Sequence, residues 1–288
     1  MITIGTYQVD LIETCRFGLD GGAMFGVVPK PLWQRAYAEA DAKNRIPMAA
    51  KALLLRSADR TILVDTGNSP LMSEKEQEIY GIDFQQYSIE GSLARLGLAP
   101  TDITDVLLTH LHFDHVGGAV VRNQNDEAVP RFSNARHYVQ KDHLAWARSP
   151  SVKDRASFIP GMFEPLTEHG VLETIEGNGE LFPGVHVETL HGHTPFMQAV
   201  RVVAGGSTLF YPADLMPTGA HVPVPYGMAY DNQPLTTIAE KQAVHARMIE
   251  EEWTVVFEHD ALRQAARVVE GKRGPQLGDE IEITSYAD

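Results

Sequence analysis

The stretch THLHFDHVGG, residues 109–118, places His110, His112, Asp114 and His115 within six positions of a chain that has 12 histidines in 288 residues. The apolar run Val106-Leu107-Leu108 precedes it and two glycines close it. A short apolar run of this kind reads as a buried strand, and the loop leaving such a strand is where functional side chains gather. His110 and His112, two apart on an extended turn, can point the same way, whereas Asp114 and His115 can turn toward a neighbouring point. One segment can therefore serve two metal ions.

Working outward, three later runs end in the same manner. Val187-Glu188-Thr189-Leu190 leads to His193, Leu209-Phe210-Tyr211-Pro212-Ala213 to Asp214, and Val255-Val256-Phe257-Glu258 to His259. Four predicted strand ends thus deliver imidazole or carboxylate groups to one sheet edge. The single cysteine, Cys15, excludes an internal disulfide and any multi-cysteine metal site and reads as a packing residue. Histidine and carboxylate ligands suit two divalent metal ions, with zinc as the default and iron, manganese or cobalt as alternatives.

The remaining segments mix strands and helices, which indicates a layered α/β or α+β domain. ITIGTYQVDLIET, KALLLRS and TILVDTG form a strand meander turned at Ala58-Asp59-Arg60. Helical patterning over 73–97 stops at Gly97, and a second helix is predicted over TTIAEKQAVHARMIEEE. Residues 20–33, DGGAMFGVVPKPLW, read as an apolar, aperiodic loop. Hydrophobic residues at 43% fit a packed globular chain, and a formal charge of −14 disfavours nucleic acid and anionic membranes as partners. No apolar segment approaches the roughly 18–20 residues of a membrane span, and no export leader is visible, so the expected location is cytoplasmic.

THLHFDHVGG, together with Gly192-His193-Thr194, Asp214 and His259, resembles the metallo-β-lactamase superfamily. The resemblance implies one αββα four-layer domain over 1–288. It places His110, His112 and His193 on a first metal, Asp114, His115 and His259 on a second, and Asp214 between the two. Asp65 in VDTG matches the family's early aspartate, which orients a ligand imidazole. The implied chemistry is hydrolysis by a hydroxide bridging two metals, with Asp114 orienting that hydroxide and passing its proton to the leaving group.

Within the superfamily, a thioesterase of the glyoxalase II kind carries a helical domain after the last ligand, and only 29 residues follow His259 here. RNA-processing members favour basic surfaces, and flavodiiron proteins replace the second histidine. Residues 20–33 resemble the N-terminal loop of YtnP-like quorum-quenching lactonases, and the methyl parathion hydrolase branch is related. The expected function is opening of lactone rings, N-acyl-homoserine lactones first, with organophosphate triester or aryl-ester hydrolysis as the alternative. A non-catalytic scaffold would be expected to have lost ligands, and all seven are present.

Met24, Phe25 and Trp33 are candidate walls of an apolar substrate pocket, and His221 is a candidate substrate contact. The same loop is a candidate isologous patch for a homodimer. His137, His143, His169, His186 and His245 have no partner spacing and read as ordinary surface or core residues, while His191 adjoins a ligand. Two positions depart from the family pattern. Pro217 stands where lactonases carry a carbonyl-polarising tyrosine, which puts strict homoserine-lactone preference in question. Phe196 stands where a glycine is common, which is expected to alter the shape of the loop after His193.

Overall fold

In the computed structural model, which describes residues 2–284, the apolar segments become two seven-stranded sheets. The first contains β1 (Ile2–Ile4), β2 (Tyr7–Asp20), β3 (Arg45–Arg56), β4 (Thr61–Val64) and β5 (Asp105–Leu107). A separate hairpin of β6 (Val120–Arg122) and β7 (Ala128–Pro130) intervenes before β8 (Arg136–Gln140) and β9 (Leu172–Ile175) complete the sheet in the order β1-β2-β3-β4-β5-β8-β9. β4, β5, β8 and β9 run parallel. The second sheet follows chain order through β10 (Gly179–Phe182), β11 (Val185–Leu190), β12 (Met197–Ala204), β13 (Ser207–Tyr211), β14 (Thr254–Val256), β15 (Ala265–Gly271) and β16 (Gly274–Ile281). β13 and β14 pair in parallel there.

The helices are α1 (Gly21–Phe25), α2 (Lys30–Ala36), α3 (Glu74–Tyr80), α4 (Ile89–Arg95), α5 (Phe113–Val116), α6 (Lys141–Arg148), α7 (Glu164–Glu168) and α8 (Pro234–Glu250). The chain divides into two compact units. Residues 2–17 and 49–176, with 284, belong to the first, and Gly18–Met48 and Gly177–Ile283 to the second. In the first unit Ile12, Leu54, Leu63, Val106 and Leu108 share a buried cluster with Leu93 of α4. β5 is buried along its whole length, with Val106 in the core cluster and Asp105 paired with Arg60 Nη1 at 2.9 Å. None of the helices among the described residues is long and apolar enough to cross a membrane.

Three local expectations are revised. Residues 73–97 form two helices rather than one. Ser73 and Glu76 close a capping box on α3, Gly81 ends it at φ +55, and Ser88 caps α4 by accepting from Gly91 N at 3.1 Å. Between them Arg16 and Asp83 exchange backbone hydrogen bonds, so the intervening residues border β2. Residues 20–33 contain α1 and the start of α2 instead of an irregular loop. Asp20 caps α1 by accepting from Ala23 N at 2.8 Å, and a Cβ at Gly21 would overlap the Trp33 indole. The β15–β16 hairpin near the C-terminus was not marked by the sequence pattern.

Candidate metal centre

In the first unit, β4 ends at Val64, just before Asp65, and β5 at Leu107, three residues before His110, and the two segments are tied together. Asp65 N donates to Leu107 O at 2.9 Å, and the buried Asp65 carboxylate accepts from Thr109 N at 2.7 Å and Thr109 Oγ1 at 2.6 Å. Its Oδ2 also lies 3.1 Å from His115 Nδ1. A carboxylate there accepts the Nδ1 proton and leaves the imidazole lone pair on Nε2, the arrangement a metal-ligating histidine needs. His110 is treated alike. The Thr109 hydroxyl spends its proton on Asp65, so its oxygen accepts from His110 Nδ1 at 3.0 Å.

His112 N-caps the single turn α5, accepting from His115 N and Val116 N, and its ring packs against Phe158 with centroids 4.6 Å apart. Leu111 N donates to His143 Nε2 at 2.9 Å, so the buried His143 of α6 fixes the backbone between two ligand candidates. Donor atoms of His110 fall within 4.8 Å of donor atoms of both His112 and His115, and Asp114 offers an oxygen within 4.8 Å of a His115 nitrogen. The glycines that close the motif have a steric reason. A Cβ on Gly118 would overlap the Thr66 carbonyl, and one on Gly117 would press on the Ser69 amide, so the VDTG and VGG backbones meet directly.

In the second unit Asp214 lies between two imidazoles, with His193 Nε2 3.1 Å from Oδ2 and His259 Nε2 3.4 Å from Oδ1. His193 Nδ1 is 3.1 Å from Oδ1 of the buried Asp231, which also accepts from Met228 N. With Nδ1 donating to Asp231, the His193 Nε2 facing the Asp214 carboxylate must carry either a proton or a metal ion between them. Two acceptors 3.1 Å apart repel unless a cation lies with them, so the donor set fits a bound metal ion. Gly192 is required because the first turn of α8 comes so close that a Cβ would overlap Thr237, while Glu240 of α8 accepts from His191 N at 2.6 Å and Gly192 N at 3.1 Å.

The loop after His193 places Phe196 in a left-handed conformation at the position where a glycine is common. Phe196 itself adopts φ +62, and its ring stands edge-on to His191 with centroids 4.9 Å apart. Ala213, beside Asp214, and Asp65 also have positive φ, so left-handed residues occur beside ligand candidates in both units.

The apolar residues of the N-terminal segment are interior. Met24, Phe25, Trp33 and His221 are each at most 1% exposed. Phe25 stacks on Trp33 and on His221, with centroids 5.6 and 4.6 Å apart. His221 Nε2 donates to Met24 O at 2.8 Å, and its Nδ1 accepts from Thr218 Oγ1 at 2.7 Å. Both ring nitrogens are committed, and burial pushes its pKa down to about 4. The solvent-facing apolar residues of this segment are Val27 and Leu32, 94% and 49% exposed. Sequence reasoning missed Asp231, His143 and Glu240, which act on backbone or on a ligand from far along the chain.

The sequence pattern of the Metallo-beta-lactamase superfamily matches residues 45–269. An N-acyl homoserine lactonase of Bacillus cereus is 27% identical over 55% of the chain and 60% of its own length. The chain spans about half the length of the curated relatives it matches. A probable metal-dependent hydrolase from Staphylococcus aureus superposes with a TM-score of 0.87 at 28% identity, over 98% of this chain and 100% of that one. AidC, a dizinc quorum-quenching lactonase solved with a product bound, shares the fold with a TM-score of 0.80 at 20% identity, over 98% and 97% of the two chains. The chain belongs to the metallo-beta-lactamase superfamily.

Proposed function

We propose that the protein is a dinuclear metal-dependent hydrolase that opens the ester ring of lactones, with N-acyl-homoserine lactones as the first candidates. The observation that carries the reading is Asp214 set between His193 and His259, with His193 oriented by Asp231. On this reading His110, His112 and His193 would hold one divalent ion, zinc by preference, Asp114, His115 and His259 would hold the other, and Asp214 would be a further ligand. Metal ions so held would supply Lewis acidity that lowers the pKa of a bound water to about 7 and polarises an ester carbonyl.

The protein's own groups do the rest. Asp65 and Thr109 hold His115 and His110 in the tautomer with the lone pair on Nε2, and Asp231 does so for His193. Asp114 has two carboxylate oxygens, so one can bind while the other holds the proton removed from water and returns it to the leaving alkoxide. The Phe25–Trp33–His221 stack gives the substrate pocket a rigid apolar backing. The lactonase relative and the lactonase fold neighbour support a lactone over other esters. Acid release at constant pH from short- and long-chain homoserine lactones, beside a paraoxon-type triester, tests the assignment. Fast lactone opening that is lost in His112→Ala supports it; fast triester cleavage with slow lactone opening overturns it.

A further inference from the structure

The loop following Asp214 carries His221, Val222-Pro223-Val224-Pro225 and Tyr226 before it reaches Asp231. Two prolines remove two N–H groups, and the short turn returns the backbone bond of Tyr226 N to Pro223 O at 3.0 Å. The loop's carbonyls therefore need donors from elsewhere. Lys241, on α8 and 0% exposed, provides them: its Nζ donates to Pro223 O at 2.8 Å, Tyr226 O at 2.9 Å and Val224 O at 3.3 Å. An ammonium has three protons and no acceptor, so three converging carbonyls match it and would repel one another without it.

What the clamp fixes is an aromatic edge. Tyr226 meets Phe25 edge-on, with centroids 6.1 Å apart and planes at 88°. Phe25 and His221 are buried, whereas Tyr226 is half-buried and so presents the accessible face of the stack. We infer that Lys241 is a positioning residue for substrate recognition: by drawing the 223–226 carbonyls onto α8 it holds Tyr226 as the surface against which an acyl chain packs. This inference rests on the lactonase reading for its substrate, but the clamp itself can be tested without activity.

The test uses metal-replete Lys241→Met and Tyr226→Ala proteins, followed by peptide-resolved amide hydrogen exchange and by kcat and KM for short- and long-chain homoserine lactones. In Lys241→Met, exchange over 222–231 is expected to rise on the order of tenfold, with α3 and the metal content unchanged. KM for the long-chain lactone is expected to rise on the order of tenfold, with kcat within about threefold. Tyr226→Ala is expected to reproduce the KM effect without the exchange effect over the rest of the loop. Wild-type exchange over 222–231 in Lys241→Met overturns the clamp. Raised exchange with KM unchanged in both variants overturns the recognition role. Should the methionine variant not fold, Lys241→Gln, which keeps two donors but is shorter, replaces it under the same criteria. If the wild type opens no lactone, the lactonase reading fails while the exchange result still decides the clamp.

Discussion

His193 and Asp231 meet at 3.1 Å, Nδ1 to Oδ1, although 38 residues separate them in the chain. The carboxylate fixes which nitrogen of His193 keeps its lone pair, and Asp214 lies 3.1 Å from that nitrogen. Removing the carboxylate in Asp231→Ala is expected to weaken metal binding about 10- to 100-fold. Competition against a chromophoric chelator measures this, and an unchanged affinity would show that Asp231 has no part in orienting the ligand.

Gly118 lies where the backbone after His115 passes the Thr66 carbonyl, which hydrogen bonds among Thr66, Gly67, His115 and Gly118 hold close. Gly118→Ala is expected to cost roughly 1–3 kcal/mol of stability, since the overlapped atoms are backbone and have little room to relax. Urea unfolding reads the loss directly. A midpoint within error of the wild type would mean that the two loops separate more easily than their hydrogen bonds suggest.

How much of this was legible in sequence depends on where the chemistry sits. The candidate metal ligands of the first unit stand in one contiguous motif at the end of an apolar run, so spacing alone exposed them. Asp231, Glu240, His143 and Lys241 were not legible, because each works through a backbone amide, a carbonyl or a ligand's second nitrogen that only the folded chain brings near. The helix expected over 73–97 failed for a local reason. Gly81 can adopt the left-handed conformation that stops α3, and Asp83 pairs with Arg16, an interaction with no sequence periodicity to announce it. At residue 196 a phenylalanine adopts a left-handed conformation that favours glycine, which residue type alone does not announce.

His137 in the first unit and His221 in the second are buried, and burial pushes both pKa values down to about 4. Each is neutral in the folded chain, whereas the unfolded chain takes up protons near 6.5. Stability contributed by the neutral forms is therefore complete above about pH 6.5 and is lost as pH falls toward 4, on the order of 3 kcal/mol for each residue. Urea midpoints measured between pH 7 and 4.5 should fall more steeply for the wild type than for His137→Leu. Parallel slopes would contradict the assignment.

Asp114 is assigned both a ligand oxygen and a proton-handling oxygen. Asp114→Asn is expected to lower kcat about 10²- to 10⁴-fold while the metal content stays near that of the wild type. Turnover close to wild type, with the metals retained, would remove Asp114 from proton transfer.

As proposed, the protein binds two divalent ions. Elemental analysis of protein purified without chelators and dialysed to constant composition tests it most directly. The account predicts about two divalent ions per chain, falling to about one or fewer in Asp214→Ala. A wild-type chain that retains well under one ion, or an Asp214→Ala chain that retains both, would contradict it.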